Sequence, residues 1–110
     1  MEGRLEQEIH ELHAGLCGAL ADPKRLMILY ALSASATSVN DLSEHLGVPQ
    51  PTTSRHLKIL RDRGLVAPTR AGANVIYSLT DTRLIEALDL LRAVMRDVFD
   101  HRAAAVSRVE

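Results

Sequence analysis

Residues 38–64 read SVNDLSEHLGVPQPTTSRHLKILRDRG, and this stretch decides the fold. Ser38 is suited to cap a short helix, and Asp41 places a negative charge near the start of that helix. Gly47 stands where the residue after a helix end adopts a left-handed conformation. Pro49 disfavours helix in the residue before it, so a tight turn follows. The stretch therefore predicts two helices joined by a short turn.

The second of these helices is predicted to run from about Pro51 to Gly64. On a helical wheel its inward positions are Thr53, Leu57 and Leu60. The outward positions are polar or basic, with Gln50 at the entrance followed by Ser54, Arg55, Lys58 and Arg61. Such a helix fits the major groove of DNA, with its N-terminal residues at the base edges. The outer face therefore predicts a DNA-reading helix.

The pattern after Gly64 changes from helical to extended. Residues 65–67 and 75–79 read as two short strands around the polar turn formed by residues 70–74. A short helix, a tight turn, a basic helix and a two-stranded hairpin together make a winged helix-turn-helix. The predicted fold class is therefore mainly α, with five helices and a small β-hairpin as the wing.

The chain before Ser38 predicts two further helices. The first carries an apolar stripe spaced 4, 3, 4 and 4 residues apart: Leu5, Ile9, Leu12, Leu16 and Leu20. Asp22 suits an N-cap and Pro23 suits the first helical position, so the second helix is predicted from there to about Ser33. Its residues are apolar almost all round, which predicts a central buried helix. Residues 33–37 are small and polar and predict a loop.

The last helix is predicted to begin after a cap at Asp81. Its apolar stripe is spaced 4, 3, 4 and 3 residues apart, as in a coiled-coil seam: Leu84, Leu88, Leu91, Met95 and Val98. So long a seam in so small a domain favours a partner helix from a second subunit. The alternative is that this helix packs on its own core.

The composition is typical of one globular domain: 110 residues, 46% of them hydrophobic and 25% charged. The longest apolar run, residues 26–32, is far shorter than the roughly 18 residues of a membrane helix. The first residues are acidic and do not resemble a signal peptide. We therefore expect a cytoplasmic protein without a membrane partner. A single cysteine, Cys17, excludes an intramolecular disulfide and a four-thiolate zinc site.

The formal net charge of −1 conceals a segregation of charge along the chain. Residues 1–13 hold one arginine and four glutamates, a net charge of −3. Residues 50–74 hold five basic residues and one aspartate, a net charge of +4. A local basic patch is sufficient to meet phosphates even when the whole chain is slightly acidic. On charge alone, a solvated helix face explains the second segment equally well.

Five strings in this order carry a resemblance to a known family. They are ALADPKRLMIL at residues 19–29, DLSEHLG at 41–47, TSRHLKIL at 53–60, GLV at 64–66 and IYSL at 76–79. From about Leu16 to Phe99, the chain resembles the bacterial ArsR/SmtB-type metalloregulators. The resemblance implies a transcriptional repressor that binds an imperfect inverted repeat in double-stranded DNA and is released by an inducer, often a metal ion.

The same resemblance implies a homodimer built through the first and last helices. Two-fold symmetry would place the two DNA-reading helices roughly 34 Å apart, one turn of the duplex. The predicted organisation is one domain over residues 1–110, with dimerisation helices at 1–20 and 82–102, the helix-turn-helix at 38–64 and the wing at 65–80.

The predicted DNA-binding residues lie on the basic helix and the wing. They are Gln50, Pro51, Thr52, Ser54, Arg55, His56, Lys58, Arg61, Arg70 and Asn74. Among them, Gln50, Ser54 and Arg55 are the expected base readers, since Arg pairs with guanine and Gln with adenine. Lys58, Arg61 and Arg63 lie further along the helix and are expected to meet phosphates.

Two departures from the family pattern affect this interface. Pro51 replaces a residue that is commonly polar, which removes one possible donor to DNA. The wing keeps one basic residue, Arg70, where relatives commonly carry two or more, so weaker wing contacts and a shallower salt dependence are expected. His56 belongs to the family motif, and its role is either a DNA contact or a packed structural histidine.

The metal sites typical of the family are missing from this sequence. Residues 38–42 lack the Cys-x-Cys of the arsenic-type site. The zinc-type site on the last helix keeps Asp81 and Asp97, but its two histidine positions hold Arg83 and Val94. Without imidazole ligands the affinity of this site for transition metals should be poor.

A different set of possible ligands lies on the first helix. His10, His13 and Cys17 are spaced 3 and 4 residues apart and share one arc of the helix. Asp97 and His101 are four residues apart near the end of the last helix. If these helices meet across a dimer, the two groups complete a site for nickel, zinc or cobalt, which would act as the effector.

Several alternatives remain open at this point. In the simplest interpretation, His10 and His13 are exposed polar residues, and Cys17 is a small hydrophobic residue buried in the core. Alternatively, Cys17 senses oxidants through its thiol, or the protein lacks a sensor and is controlled by a partner protein. An enzyme is disfavoured because the sequence has no catalytic motif or phosphate loop. Three aromatic residues are too few for an RNA-stacking platform.

Overall fold

The computed structural model describes the backbone of residues 1–109 and the side chains of residues 1–106. In chain order the elements are α1 Gly3–Leu12, a π-helical turn His13–Cys17, α2 Gly18–Leu20, α3 Pro23–Ala34, β1 Thr37–Ser38, α4 Val39–Leu46, α5 Gln50–Asp62, β2 Val66–Ala71, β3 Asn74–Leu79 and α6 Arg83–Val109. The helical turns of residues 3–20 follow one another without a break, so the chain has the five predicted helical segments. Residues 1–80 form one compact unit, and α6 belongs to a second.

The predicted starts of α3 and α4 and the predicted end of α4 are confirmed by their caps, whereas the basic helix, expected from about Pro51 to Gly64, spans Gln50–Asp62. The Asp22 carboxylate accepts hydrogen bonds from the backbone N–H groups of Lys24 at 2.7 Å and Arg25 at 3.3 Å, which fixes the start of α3. The Ser38 hydroxyl accepts from the backbone N–H of Asp41 at 3.2 Å and starts α4. Gly47 ends α4 with a φ of 67°, a conformation that an L-residue with a side chain rarely adopts.

The core of residues 1–80 forms around the middle of α3 and the inner faces of α4 and α5. Its buried apolar side chains are Ala19, Ile28, Leu29, Leu32, Leu42, Leu57, Leu60, Leu65 and Val66. Thr53 is fully buried among them, and its hydroxyl accepts a hydrogen bond of 2.8 Å from the Ser43 hydroxyl. This bond joins α4 to α5 inside the core and satisfies both polar groups. Because Thr53, Leu57 and Leu60 all face inward, the opposite face of α5 is fixed outward, as predicted.

The sheet corrects the predicted wing in two respects. It has three antiparallel strands in the order β1-β3-β2, whereas two strands were expected. The additional strand β1 begins at Thr37, the last residue of the segment expected to be a loop, and it pairs Thr37 with Tyr77 and Ser38 with Ile76. A strand of two residues is too short to show the alternation of apolar and polar side chains that identifies strands in a sequence. Only its pairing with β3 reveals it.

The hairpin turn is also tighter than the sequence predicted. β2 and β3 pair from Val66 opposite Leu79 to Ala71 opposite Asn74, which leaves a two-residue turn. Gly72 is the first turn residue and has a φ of 64°, as in the two-residue turns that suit the twist of a hairpin. Arg70 and Asn74, expected in the turn, therefore lie in the strands.

The first helical segment departs from a regular α-helix at residues 13–17. There the backbone N–H of Gly18 donates to the carbonyl of His13, five residues earlier, which defines the π-helical turn. On the α1 side of this turn, the apolar stripe is solvent-exposed in a single chain. Leu5, Ile9 and Leu12 keep 44–50% of their surface accessible.

Helix α6 begins after a cap at Asp81, as predicted. The Asp81 carboxylate accepts from the backbone N–H of Arg83 at 2.9 Å, and the Arg83 guanidinium beside it lowers the pKa of Asp81 to about 2. Of the predicted seam, Leu88 is buried, whereas Leu91, Met95 and Val98 are exposed. Within the described residues, no helix combines the length and the apolar character that crossing a membrane requires.

Candidate nucleic-acid interface

The predicted base readers lie together on the first two turns of α5. Gln50 is exposed, and its amide donates to the Ser54 hydroxyl at 3.4 Å. The exposed Arg55 guanidinium donates to the Thr52 hydroxyl at 3.3 Å. These weak contacts along one helix face hold the side chains at the surface without burying them. Pro51 is exposed in the first turn and presents no N–H group to DNA.

The helix start carries its own electrostatic character. No side chain caps α5 at Pro49, so the positive end of the helix dipole remains available, although the N–H groups of Thr52 and Thr53 donate to the Pro49 carbonyl at 3.0 and 3.2 Å. This end of a helix attracts anions such as a phosphate group. The base readers therefore lie beside a terminus that favours the DNA backbone.

The predicted phosphate-contacting residues follow one turn later. Lys58 forms an ion pair with Asp62 at 3.1 Å, and both side chains are exposed. Arg61 and Arg63 are exposed, and within the described residues neither guanidinium has a hydrogen-bond or ion-pair partner. Between α5 and β3 lies an open cleft of about 460 Å³, lined by Ser54, Lys58, Arg61, Asp62 and Tyr77. Strand β3 thus contributes a tyrosine to the basic face.

The wing places the other two predicted DNA-binding residues close to the hairpin turn. Arg70 on β2 pairs with Val75, and Asn74 on β3 pairs with Ala71. Both side chains are exposed. Arg70 is the one basic residue of the wing, so the positive potential of the interface is concentrated on α5.

His56 has a different environment from its neighbours on α5. Its ring is half-buried, and Nδ1 lies 3.4 Å from Nη1 of Arg25 on α3. Since an arginine can only donate, the histidine nitrogen accepts in this contact. This geometry favours the structural role of His56 over the DNA contact, which stays a prediction.

Arg25 connects three elements through one side chain. Its Nε donates to the carbonyl of Ala19 at 2.6 Å and its Nη2 to the carbonyl of Gly18 at 3.3 Å, at the end of the first helical segment. The same guanidinium reaches His56 on α5. Partial desolvation acts to raise the pKa of Asp22, but the N–H groups of Lys24 and Arg25 outweigh it and hold that pKa below its ordinary value.

The predicted metal ligands are not brought together within one chain. His10, His13 and Cys17 are exposed, as are Asp97 and His101 on α6. Among the described residues, no three His, Cys, Asp or Glu side chains lie close enough to share a metal ion. The interpretation of Cys17 as a buried hydrophobe is wrong for the single chain, because this thiol is free and exposed. The metal site shared between two copies stays a prediction.

Three residues of this region were not predicted from the sequence. In the sequence, Asp62 counts only as the one negative charge of residues 50–74, although it lies four residues after Lys58, the spacing that brings helix side chains together. Tyr77 was recognised as part of a family string but was not assigned to the interface. Arg25 belongs to another such string, and no local pattern reveals that its partners lie on two other elements.

The fold and the exposed basic helix define a winged helix-turn-helix DNA-binding protein, and comparison with known proteins specifies the family. The family model described as bacterial regulatory protein, arsR family, matches residues 22–67. The HTH-type transcriptional regulator NmtR of Mycobacterium tuberculosis is 46% identical over 71 residues, which cover 64% of this chain and 59% of NmtR. The chain thus matches less than two thirds of the length of this relative.

Two further similarities cover a larger share of the matched protein. The HTH-type transcriptional regulator CmtR of Mycobacterium bovis is 42% identical over 83 residues, 74% of this chain and 70% of CmtR. The homodimeric winged helix-turn-helix DNA-binding domain of Mb0332 from Mycobacterium bovis superposes with a TM-score of 0.78 at 25% identity, over 92% of this chain and 93% of that one.

The chain belongs to the ArsR family of bacterial regulatory proteins. The relatives named by the comparison are described as HTH-type transcriptional regulators.

Proposed function

We propose that this protein is a dimeric, sequence-specific DNA-binding repressor that reads an imperfect inverted repeat through α5. The observation that carries this proposal is the outer face of α5, where Gln50, Ser54 and Arg55 are accessible at the end of the helix that enters a groove. The buried Thr53 and Leu57 on the opposite face support it, because they fix the rotation of the helix.

In this proposal the contacts divide into two classes. Arg55 and Gln50 contact base edges and supply specificity, whereas Lys58, Arg61 and Arg63 contact phosphates and supply affinity that falls with salt. Thr52 holds the Arg55 side chain by a hydrogen bond, and this contact narrows the directions that the guanidinium can take.

The proposed dimer forms through the exposed apolar stripes of α1 and α6. On α1 the stripe keeps nearly half of its surface accessible, and on α6 Leu91 and Met95 are 62% and 48% exposed. Contiguous apolar surface of this kind is typical of a protein interface. Two copies related by a two-fold axis would present two α5 helices to successive major grooves.

Selection from a randomised duplex library followed by competition binding tests the proposal. We expect the selected sequences to contain two related half-sites about one helical turn apart. Arg55→Gln should weaken binding by about 1–3 kcal/mol and relax the preference at one position in each half-site. Arg63→Gln, an equal loss of charge at the residue that follows the end of α5, should weaken binding to all sequences alike. If Arg55→Gln retains wild-type selectivity, α5 is not the reading element.

The proposal also includes an effector that controls DNA binding. We propose a transition metal such as nickel, zinc or cobalt, held by ligands from both copies, because the described residues of one chain do not bring three such ligands together. The donor set supports this assignment, since His10, His13 and Cys17 offer imidazole and thiolate groups on exposed positions of one helical segment.

Calorimetric titration of the metal-free dimer with nickel, cobalt and zinc checks this assignment. We expect binding that is lost in His13→Ala and Cys17→Ser and retained in His45→Ala, a control in which an exposed histidine of α4 is removed. Binding that is absent, or equal in all four proteins, would show that the regulator does not use this metal site. A DNA-binding change caused by a co-encoded protein or by oxidation of Cys17 would then identify the alternative effector.

A further inference from the structure

The cleft between α5 and β3 combines features that neither element has alone. Its lining contains two cations, Lys58 and Arg61, one anion, Asp62, and two hydroxyl-bearing side chains, Ser54 and Tyr77. The cleft is open to solvent and has a volume of about 460 Å³. Cationic groups and hydroxyl donors around an open space are the groups that proteins use to bind phosphate oxygens.

The charges in this cleft are unevenly paired. Lys58 lies 3.1 Å from Asp62, with 75% of the lysine and 59% of the aspartate side chain exposed. Arg61 has no ion-pair partner among the described residues, and in the same part of the chain the Tyr77 hydroxyl has no hydrogen-bond partner. One cation and one neutral donor are therefore free, whereas the second cation is held by a carboxylate.

We infer that this cleft binds one phosphodiester of the DNA backbone beside α5, with Arg61 and Tyr77 as contacts, and that Asp62 competes with the phosphate for Lys58. This inference rests on the proposed function, since it describes how the same interface meets DNA. Asp62 is then an acidic residue placed in a phosphate-binding cleft, where it lowers the affinity of the protein for DNA.

The competition follows from the geometry of the pair. The Lys58 ammonium must leave Asp62, or share its hydrogen bonds, to contact a phosphate. The remaining carboxylate would face a second negative charge within the same cleft. Ion pairs as exposed as this one contribute little stability, so the pair can open when DNA binds, and the loss of the pair is the main cost that Asp62 imposes on binding.

Asp62→Asn is the direct test, and the chain offers a matched control. Glu8 forms an ion pair with Arg4 at 3.3 Å on α1, which is also an exposed pair with a spacing of four residues. Glu8→Gln therefore removes the same charge from an equivalent pair outside the cleft. We expect Asp62→Asn to tighten binding to the selected duplex about three- to fivefold and Glu8→Gln to leave it unchanged.

The dependence of affinity on salt separates charged from neutral contacts. Each phosphate neutralised by a cation contributes a slope of about −0.9 to log K against log salt concentration. Asp62→Asn should make this slope steeper by up to about one unit, because Lys58 becomes free to neutralise a phosphate. Tyr77→Phe should weaken binding a few-fold while leaving the slope unchanged, since a hydroxyl carries no charge.

A double-mutant cycle connects the effect of Asp62 to Lys58. In the Lys58→Gln background, Asp62→Asn should increase DNA affinity much less than it does in the wild-type protein, because the ammonium for which Asp62 and the phosphate compete is absent. Equal affinity of Asp62→Asn and Glu8→Gln would overturn the inference, as would a gain that persists in full without Lys58. Failure of the proposed function is distinguishable, because the wild-type protein would then select no half-site sequence.

Discussion

Replacing Ile9 with glutamate should convert the protein into a monomer and reduce its affinity for an inverted repeat by a factor of about 10²–10⁴. The two half-sites of such a repeat are bound together only when two α5 helices are physically linked. When the link is lost, each copy binds with the affinity of a single half-site. This is the largest change in DNA affinity that we expect from one substitution.

The expectation rests on the position of Ile9 in the middle of the α1 stripe. Leu5 and Leu12 lie one turn to either side, and all three are about half exposed in one chain. Complete burial of a fully exposed side chain of this size is worth about 1.5–3 kcal/mol, so covering the exposed half of each would contribute about half of that amount. A glutamate at position 9 instead brings a charge into the interface, and a charge without a partner is costly to bury.

Sedimentation or light scattering at a fixed protein concentration would check this result, with DNA binding measured on the same samples. Gln7→Glu is the matched control, because it adds the same charge to the opposite face of α1, where Gln7 donates to the exposed Glu11 at 3.2 Å. The control should remain dimeric. If Ile9→Glu forms dimers as the wild-type protein does, the α1 stripe does not contribute to the association.

The parts of this fold that the sequence predicted are those fixed by local chemistry. Asp22 and Ser38 cap the helices that they were expected to cap, because a side-chain oxygen near free N–H groups needs no distant partner. The burial of Thr53, Leu57 and Leu60 follows from the period of one helix. That period also determined which face of α5 is exposed, and hence most of the predicted interface.

The parts that the sequence did not predict depend on distant partners. Strand β1 exists because Thr37 and Ser38 lie against β3, almost forty positions later in the chain. The π-helical turn at residues 13–17 changes the register of the first helical segment without a residue type that marks it. A regular period was assumed there, so the arc shared by His10, His13 and Cys17 is less regular than predicted.

In the candidate interface, too, some residues could be recognised from local sequence, whereas others depend on partners that lie far away in the chain. Charge and periodicity identified Arg55, Lys58 and Arg61, since these residues can be recognised from the basic face alone. His56 has the same local sequence context, but its ring faces Arg25 on another element. Tyr77 reaches the interface from β3, and only the packing of the hairpin beside α5 places it there.

Replacing Arg25 with alanine should lower the free energy of unfolding by about 2–3 kcal/mol, because hydrogen bonds from a charged group are worth about 1.5–3 kcal/mol each and are not fully additive. The guanidinium binds the carbonyls of Gly18 and Ala19 and the ring of His56. Without it, the Ala19 carbonyl loses this donor, the Gly18 carbonyl keeps only the long bond of 3.4 Å from the Ala21 N–H, and His56 loses its partner. Chemical denaturation at one fixed protein concentration would measure the loss.

Two companion variants show whether the network or the charge is responsible. Lys24→Ala removes a neighbouring cation of α3 whose ammonium forms no hydrogen bond or ion pair within the described residues, and it should change stability by less than about 0.5 kcal/mol. His56→Ala removes one of the three contacts and should cost about 1 kcal/mol, and less in the Arg25→Ala background. Equal losses in Arg25→Ala and Lys24→Ala would contradict the network. The opposite result is that the losses of stability in Arg25→Ala and His56→Ala add fully in the double variant. That result would show that α5 is held in place by its core residues and not by the contact between Arg25 and His56.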